Sequence, residues 1–352
     1  MDIKQYLQNI VDLKASDLHL ISGIPPAIRI DGALSPAAGA GVLTPDDING
    51  LLKQILNNEQ LERLAVNKEI DFSLAFSEKA RFRVNAYTQK GAPAAAFRQI
   101  PLTIPKIEDL GLPPILHSFT NLRQGFVLIT GPTGHGKSTT LAAMLEEINM
   151  TRAAHIVTIE DPIEFVFKPQ KSIISQREMR SDTHSWEIAL RSVLREDPDV
   201  VLVGEMRDYE TIAAALTVAE TGHLVFATLH TNSAAQTIDR IVDVFPDEQQ
   251  KQVRLQLSNV LEAVFSQRLI PAMTKGRVVG YEVMLGTTAI RTAIREGKTH
   301  QIETILETSQ EAGMSTLERS LAELVKKGLI TLEVAQSWSL RPEELNRLIR
   351  SV

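Results

Sequence analysis

Residues 131–138 carry the clearest chemical signature in the chain. They read Gly-Pro-Thr-Gly-His-Gly-Lys-Ser and match G-x-x-x-x-G-K-[ST], the pattern of a phosphate-binding loop. Glycines allow successive backbone N–H groups to turn inward around a phosphate chain, and the N-terminus of the following helix adds favourable partial charge. Lys137 would reach the outer phosphates, and Ser138 would hold Mg²⁺. The pattern predicts a nucleoside triphosphate site formed by Gly131, Pro132, Thr133, Gly134, His135, Gly136, Lys137, Ser138 and Thr139.

Acidic residues follow two apolar strand candidates and could turn nucleotide binding into hydrolysis. The box Ile-Glu-Asp-Pro-Ile-Glu-Phe at 159–165 contains three acids, one of which could polarise the attacking water or orient Mg²⁺ through water. Glu205 follows the apolar run 200–203, at the strand end where ligands bind in open α/β sheets. Either acid alone is an ordinary strand-end residue, but together with the loop they indicate hydrolysis. Gly204 stands where an aspartate usually precedes this glutamate, so the metal ligands differ from the commonest set.

Two histidines, His223 and His230, stand at the two ends of a short strand candidate. A lone histidine is more often a structural hydrogen-bonding residue than a catalyst. His230, beside Thr231 and Asn232, is the better candidate for sensing the terminal phosphate. His135 lies inside the loop, at a position where the backbone does the binding. We therefore expect its side chain to be a tolerated surface substitution.

Three arginines, Arg81, Arg83 and Arg98, lie on strand-like pieces before the first proline-rich segment. Surface salt bridges are their plainest interpretation. Alternatively, some of them reach the triphosphate from the side opposite the loop, since an arginine supplied across an interface can raise phosphoryl-transfer rates by about 10³- to 10⁵-fold.

The composition of the 352-residue chain is that of an ordinary globular protein, with 43% hydrophobic and 23% charged residues. There is no run of 18 apolar residues, and the first residues lack the basic-then-apolar layout of a signal peptide, so we expect a cytosolic protein. The absence of cysteine excludes a disulfide framework, a cysteine nucleophile and a C-x-x-C zinc module. The net charge of −6 argues against a dedicated nucleic-acid-binding protein.

These candidate residues must be positioned by more than one domain, because the chain is long enough for two or three separate cores. Residues 1–99 mix an amphipathic start with short strand-like pieces, which predicts an α+β domain. Residues 100–114 contain four prolines and form the predicted linker. From 115 to 270, apolar strand candidates alternate with helical stretches, which is typical of a parallel sheet covered by helices. Residues 271–352 are predicted to be a smaller, mainly helical region, and the fold class is α/β.

In this order, the motifs resemble the motor ATPases of type II and type IV secretion, and within them the type IV pilus retraction ATPases of twitching motility. Besides the loop and the histidines, the resemblance rests on Ala-Ser-Asp-Leu-His-Leu at 15–20, the acidic box at 159–165 and Val-Gly-Glu-Met-Arg-Asp at 203–208. Retraction members carry a C-terminal signature similar to AIRNLIRE. Here it reads Ala-Ile-Arg-Thr-Ala-Ile-Arg-Glu at 289–296, with two departures at 292–293. Helical spacing would give this segment a charged and an apolar face.

The resemblance implies an N-terminal PAS-like domain, a C-terminal RecA-like P-loop ATPase domain and a homohexamer that binds ATP and Mg²⁺. It implies a role for each site residue: Glu164 activates water, Glu205 is the metal-site glutamate, His223 and His230 form a histidine pair, and Arg81, Arg83 and Arg98 are candidates for stabilising charge. The implied work is retraction, in which pilin subunits are pulled out of a pilus through an inner-membrane platform protein. The motor would be cytoplasmic and would reach the inner face of the membrane through that partner, with no nucleic acid involved.

Other functions remain open at this point. An assembly or secretion motor of the same superfamily is disfavoured by the short N-terminus and by the lack of a four-cysteine zinc module. A nucleotide-binding regulatory subunit with little turnover is disfavoured by Glu164 and Glu205, which a pure binder does not need. A nucleic-acid translocase is a more distant alternative.

Overall fold

The computed structural model describes residues 2–30, 32–37, 39–77, 80–100, 103–274 and 276–350. Contacts between residues divide the chain into two units. The first comprises the chain up to residue 103 together with 162–166, and the second comprises the rest. The predicted scheme instead runs from 115 to 270 without interruption. The sequence did not indicate that 162–166, which overlaps the acidic box, groups with the first unit.

Six strands and three helices build the first unit: β1 Asp17–Ile21, β2 Ala27–Ile30, β3 Ala33–Pro36, β4 Glu69–Ser77, β5 Ala80–Gln89, β6 Ala92–Ile100, α1 Ile3–Asp12, α2 Pro45–Leu52 and α3 Asn58–Asn67. The strands form one antiparallel sheet in the order β3-β2-β1-β6-β5-β4. Buried residues alternate along most of β5, because successive side chains of a strand point to opposite faces. Its inward side chains Phe82 and Val84 share a core with Leu7 of α1 and Ile48 of α2. The predicted α+β character of this region is confirmed.

The second unit is built on a seven-stranded sheet: β7 Gly125–Thr130, β8 His155–Glu160, β9 Ile173–Glu178, β10 Val200–Val203, β11 Leu224–Leu229, β12 Leu261–Pro271 and β13 Arg277–Leu285. The order is β13-β12-β7-β11-β10-β8-β9, and every neighbouring pair is parallel except β12 with β13. β7, β10 and β11 are buried at every residue, as strands covered on both faces should be. The predicted parallel sheet is confirmed, and the carboxyl ends of its six parallel strands lie at one edge.

The helices of the second unit are α4 Leu116–Thr120, α5 Lys137–Thr151, α6 Trp186–Val193, α7 Tyr209–Glu220, α8 Ala234–Asp243, α9 Asp247–Val260, α10 Thr288–Arg295, α11 Ile302–Thr308, α12 Leu317–Lys326, α13 Leu332–Trp338 and α14 Pro342–Arg350. Single 3₁₀ turns lie at Thr299–Gln301 and Gln310–Ala312. None of the helices in the described ranges combines the length and the apolar character that a membrane span requires.

The region after 271, predicted to be mainly helical, also contributes a long strand. β13 pairs with β12 along its whole length, from the pair Ala263–Leu285 to the pair Pro271–Arg277. Helices α12, α13 and α14 form a separate apolar cluster with the end of β12, around Leu321. This part of the chain is therefore attached to the edge of the main sheet by strand pairing as well as by helix packing.

The signature segment at 289–296 forms α10, as its spacing predicts. Ile290 and Ile294 are buried on its apolar face. Arg291 points inward as well: its guanidinium donates to the backbone oxygens of Gly286, Ser258 and Asn259 and pairs with Glu262 at 2.7 Å. Arg291 thus ties the end of α9 to the start of β12 instead of belonging to an exposed charged face.

Candidate active site

The loop at 131–138 connects buried strand β7 to the first turn of α5, as predicted. Gly131 has φ of 139°, and a Cβ placed on it would lie 2.2 Å from the backbone oxygen of Gln267. Only glycine can occupy such a position, because it combines a left-handed backbone with the close approach of another strand. Neighbouring β12 therefore shapes the loop from behind.

Lys137, the first residue of α5, is only 8% exposed. Its Nζ donates to the backbone oxygens of Gly131 at 2.7 Å and of Pro132 at 3.1 Å. A buried ammonium needs such acceptors, because an unpaired charge in the interior is expensive. Phosphate oxygens would be stronger acceptors in the same position, so the geometry agrees with the predicted role of Lys137.

His230 links Lys137 to the strand-end glutamate. Its Nδ1 lies 3.3 Å from both Lys137 Nζ and Thr133 Oγ1, and its Nε2 lies 2.7 Å from Glu205 Oε1. An ammonium has only donors, so Nδ1 accepts and Nε2 carries the proton that is donated to Glu205. The structure therefore brings together Lys137, His230 and Glu205, three of the residues that the sequence analysis selected, at the carboxyl edge of the sheet.

Glu205 is held in its ionised form by its neighbours. Burial alone would raise its pKa, but the bidentate hydrogen bonds from Arg207, at 2.7 and 2.8 Å, and the nearby His230 bring the pKa below its ordinary value. The preceding residue is Gly204. A Cβ at that position would lie 3.1 Å from the backbone oxygen of Ile159, which is a close contact that glycine avoids. The glycine lets β10 approach the end of β8, so that Glu205 is delivered beside the loop.

Gln267 on β12 is a site residue that the sequence analysis missed. It is 1% exposed, its Nε2 donates to the backbone oxygen of His135 at 2.7 Å, and its Oε1 accepts from Thr140 Oγ1 at 2.8 Å. It therefore joins the loop to α5 from behind. No local pattern could have indicated it, because its partners lie more than 120 residues away in the chain.

His135 differs from its expectation as a surface substitution. The side chain is half-buried, and its Nδ1 accepts from the backbone N–H of Leu269 at 2.9 Å. Its ring centroid lies 5.6 Å from that of Trp338 on α13. The side chain is therefore partly covered by β12 and α13 instead of being fully exposed.

The acidic box is divided between the units: 159–161 belong to the second unit, whereas 162–165 and the three arginines belong to the first. Glu164 pairs with Arg83 at 3.6 Å, with both side chains about two-fifths exposed. Arg81 donates to Ser73 on β4. Arg98 pairs at 2.9 Å with Asp17, which is largely buried, and their contact helps to hold the pKa of Asp17 below its ordinary value against the opposing effect of burial. Each arginine thus has a partner within the first unit.

His223 precedes the amino end of β11, whereas the loop follows the carboxyl end of the neighbouring parallel strand β7. Its Nδ1 lies 3.0 Å from the backbone oxygen of Val218 and 3.0 Å from Thr221 Oγ1, at the end of α7. Seven residues at about 3.3 Å each place it about 23 Å from His230. Within this chain the structure does not bring His223 to the loop, because a strand separates the two histidines as the sequence predicted, and a role of His223 in nucleotide binding stays a prediction.

The chain matches a family model described as type II/IV secretion system protein over residues 1–337. The chain belongs to this family. One relative is the type IV pilus retraction ATPase PilT of Pseudomonas aeruginosa, 49% identical over 97% of this chain and 99% of the relative. Another is a twitching motility protein of Neisseria gonorrhoeae, 48% identical over 91% of this chain and 86% of the relative. A crystal structure of the pilus retraction motor PilT with bound ADP has a TM-score of 0.92 and 46% identity, over 99% of both chains.

Within the type II/IV secretion family, the chain is therefore a PilT-like ATPase. The predicted family, the α/β fold class with an N-terminal domain before an ATPase domain, and the enzyme class are confirmed. ADP in the structure of the relative supports a nucleotide as the ligand of this family. The roles of individual residues stay predictions.

Proposed function

We propose that this PilT-like ATPase hydrolyses ATP at residues 131–139 and uses the energy to retract type IV pili, and so drives twitching motility. The observation that carries the proposal is the cluster of Lys137, His230 and Glu205 at the carboxyl edge of the sheet, in a chain that is 49% identical to a pilus retraction ATPase over nearly its whole length. A loop with only a binding function would not need the carboxylate and the histidine beside its lysine.

The roles of Lys137 and His230 follow from their contacts, and those of Glu164 and the three arginines from the resemblance to the family. Lys137 would exchange its two loop carbonyls for phosphate oxygens. His230, between Lys137 and Glu205, would report the arrival of the terminal phosphate to the carboxylate. Glu164 would activate the attacking water, and Arg81, Arg83 and Arg98 would stabilise developing charge, supplied from a neighbouring subunit of a hexamer.

The residues beside the loop fit Mg²⁺. The hydroxyl of Ser138 and the carboxylate of Glu205 are hard oxygen donors of the type that Mg²⁺ prefers, and Mg²⁺ keeps several waters in such sites. Both oxygens of Glu205 already accept hydrogen bonds from Arg207 and His230, so Glu205 would hold the ion through water. When bound, Mg²⁺ would neutralise charge on the phosphates, while His135 and the rest of the loop supply the backbone cradle.

The partners follow from the same likeness. We propose a homohexamer that acts on an inner-membrane platform protein and through it on pilin, at the cytoplasmic face of the membrane. The alternative of an assembly or secretion motor has less support, because two type II secretion relatives are 34% and 32% identical over 65% and 75% of this chain, and a third is 42% identical over only 44% of it. The four-cysteine zinc module of assembly and secretion members has no counterpart in a chain without cysteine.

Two experiments test the proposal. In the first, Glu164→Gln or Glu205→Gln abolishes phosphate release but largely spares ATP binding, while Glu248→Gln, at an exposed position on α9, behaves as wild type. Undiminished turnover in both site variants refutes the catalytic assignment. In the second, a deletion strain carries excess, non-retracting pili; bald cells would favour an assembly motor instead.

The arginines need a test of their own. Lys137→Ala subunits are mixed with Arg83→Ala or Arg98→Ala subunits, each inactive alone. If the arginines act across a subunit boundary, mixed rings regain some intact sites and recover part of the turnover. Absence of recovery at every mixing ratio excludes that arrangement.

A further inference from the structure

Residues 134–135, the outer half of the phosphate loop, are contacted by three elements of the second unit. Leu269 on β12 donates its N–H to His135 Nδ1 at 2.9 Å, and Gln267 on the same strand donates to the backbone oxygen of His135 at 2.7 Å. Arg277 on β13 donates to the backbone oxygen of Gly134 at 3.3 Å. Trp338 on α13 places its ring against the imidazole, with a centroid distance of 5.6 Å and an angle of 57° between the planes.

The same contacts reach the C-terminal helices. Arg268, beside Leu269 on β12, donates to the backbone oxygen of Trp338 at 2.9 Å, at the last residue of α13. His135 is thus the one side chain of the loop's 131–136 stretch for which the described residues show both a contact with β12 and a contact with a C-terminal helix. Its imidazole connects the nucleotide loop to the region after 271.

We propose that His135 is a positioning residue that fixes the outer half of the loop on β12 and α13 and thereby sets the affinity for nucleotide. A loop whose N–H groups already point inward loses less conformational freedom when a phosphate chain binds. If the contacts of His135 were lost, the loop would have to become ordered when the nucleotide binds. Nucleotide binding would therefore weaken, while the rate of the chemical step would change little. The inference depends on the proposal that this loop holds the nucleotide.

The arrangement requires a neutral imidazole. Nδ1 accepts the hydrogen bond from the N–H of Leu269. In a protonated ring, Nδ1 would itself carry a proton, so that two donors would face each other and the hydrogen bond would be lost. The charged groups that face His135 are all cationic: Arg268 on β12, Arg277 on β13 and Lys137 on α5, while α13 offers the uncharged ring of Trp338. Burial and then these cations lower the pKa of His135 from its ordinary value of 6.5. The hydrogen bond between His135 and Leu269 is therefore lost only at acidic pH.

The test uses full-length protein and measures KM and kcat for ATP, with ADP affinity, from about pH 5 to pH 8, which brackets the ordinary histidine range. His135→Ala removes the acceptor and the ring, and we expect KM and the dissociation constant for ADP to rise about three- to tenfold at pH 8, as for the loss of one hydrogen bond. kcat should change less than KM. Trp338→Leu should raise KM in the same direction, since it removes only the ring contact.

His135→Asn retains an acceptor oxygen near the position of Nδ1 but cannot be protonated. We expect it to recover part of the affinity at pH 8 and to lack the rise of KM that we expect for wild type on acidification. His300→Asn, the same change at an exposed histidine in a 3₁₀ turn, should match wild type at every pH. The inference is overturned if His135→Ala leaves KM unchanged, if kcat falls instead of KM rising, or if the acidic rise persists in His135→Asn.

Lys137→Ala separates this inference from the proposed function. If it retains full ADP affinity, the loop is not the nucleotide site and both proposals fail. If it loses affinity while the His135 variants behave as wild type, only the positioning role fails.

Discussion

Glu282 on β13 is a buried acid whose replacement should stabilise the protein. It is 4% exposed, and its Oε1 accepts the N–H of Ala234, the first residue of α8, at 2.6 Å. Burial raises its pKa from 4.5 to about 7; the bond from Ala234 opposes this rise, and the neighbouring carboxylate of Glu318 adds to it. Glu282→Gln keeps the volume and the acceptor for Ala234 but removes the titrating group.

The size of the effect follows from the raised pKa. Because the folded state binds this proton more tightly than the unfolded state, the contribution of Glu282 to stability is fully present below about pH 4.5 and is lost as the pH rises through about 7. At about 1.4 kcal/mol per pH unit, the loss amounts to about 3 kcal/mol. Glutamine does not ionise, so the variant should be more stable than wild type by about that amount at pH 8, and by little near pH 4.5.

Urea unfolding followed by tryptophan fluorescence measures this difference. Both tryptophans of the chain, Trp186 and Trp338, lie in the second unit, as does Glu282, so the signal reports on the relevant unit. With a slope of about 3 kcal/mol per M, the urea midpoint at pH 8 should rise by about 1 M. Glu323→Gln, at an ion pair with Arg319 in which each side chain is about two-fifths exposed, is the matched control and should show no such shift.

A Glu282→Gln protein that is less stable than wild type at pH 8 would refute the reasoning, because the ionised carboxylate would then contribute favourable contacts. A stability difference that stays constant between pH 4.5 and pH 8 would also refute it, since it would show that Glu282 does not titrate in this window.

Three further predictions follow from single contacts. Glu318→Ala should cost about 2 to 5 kcal/mol of unfolding free energy by urea denaturation, because it leaves the backbone N–H groups of Leu340 and Arg341 without their buried acceptor, whereas the Arg341 guanidinium keeps other carboxylate partners; Glu323→Ala, at a surface ion pair, is its control, and equal losses in the two would contradict the assignment. Gly204→Ala should lower kcat for ATP and cost about 1 to 3 kcal/mol of stability, because its Cβ would press on the backbone at the end of β8 and displace the following glutamate; wild-type turnover would show that the strand ends can adjust. His223→Ala should leave KM for ATP unchanged, since the residue lies beyond the far end of β11; a large rise in KM would indicate a role that another subunit completes.

Local patterns were sufficient for most of the fold and for the centre of the site. The predicted strand at 200–203 has the observed bounds, and α7 begins at Tyr209, directly after the N-cap residue Asp208. Such elements could be predicted because their signals, apolar runs and capping residues, lie within a few positions of each other in the sequence. The loop at 131–138 and its neighbouring acids follow from the same kind of short-range pattern.

The sequence by itself determined which chemical groups are present: a phosphate loop, strand-end carboxylates, and histidines on either side of β11. Only the tertiary structure decided which of them meet. It joined His230 to Lys137 and Glu205, left His223 at the opposite edge of the sheet, and turned His135 from an expected surface residue into a contact of β12 and α13. The physical reason is that these contacts join residues up to about 200 positions apart in the chain, and distance along the chain carries no information about which side chains a parallel sheet brings to the same edge.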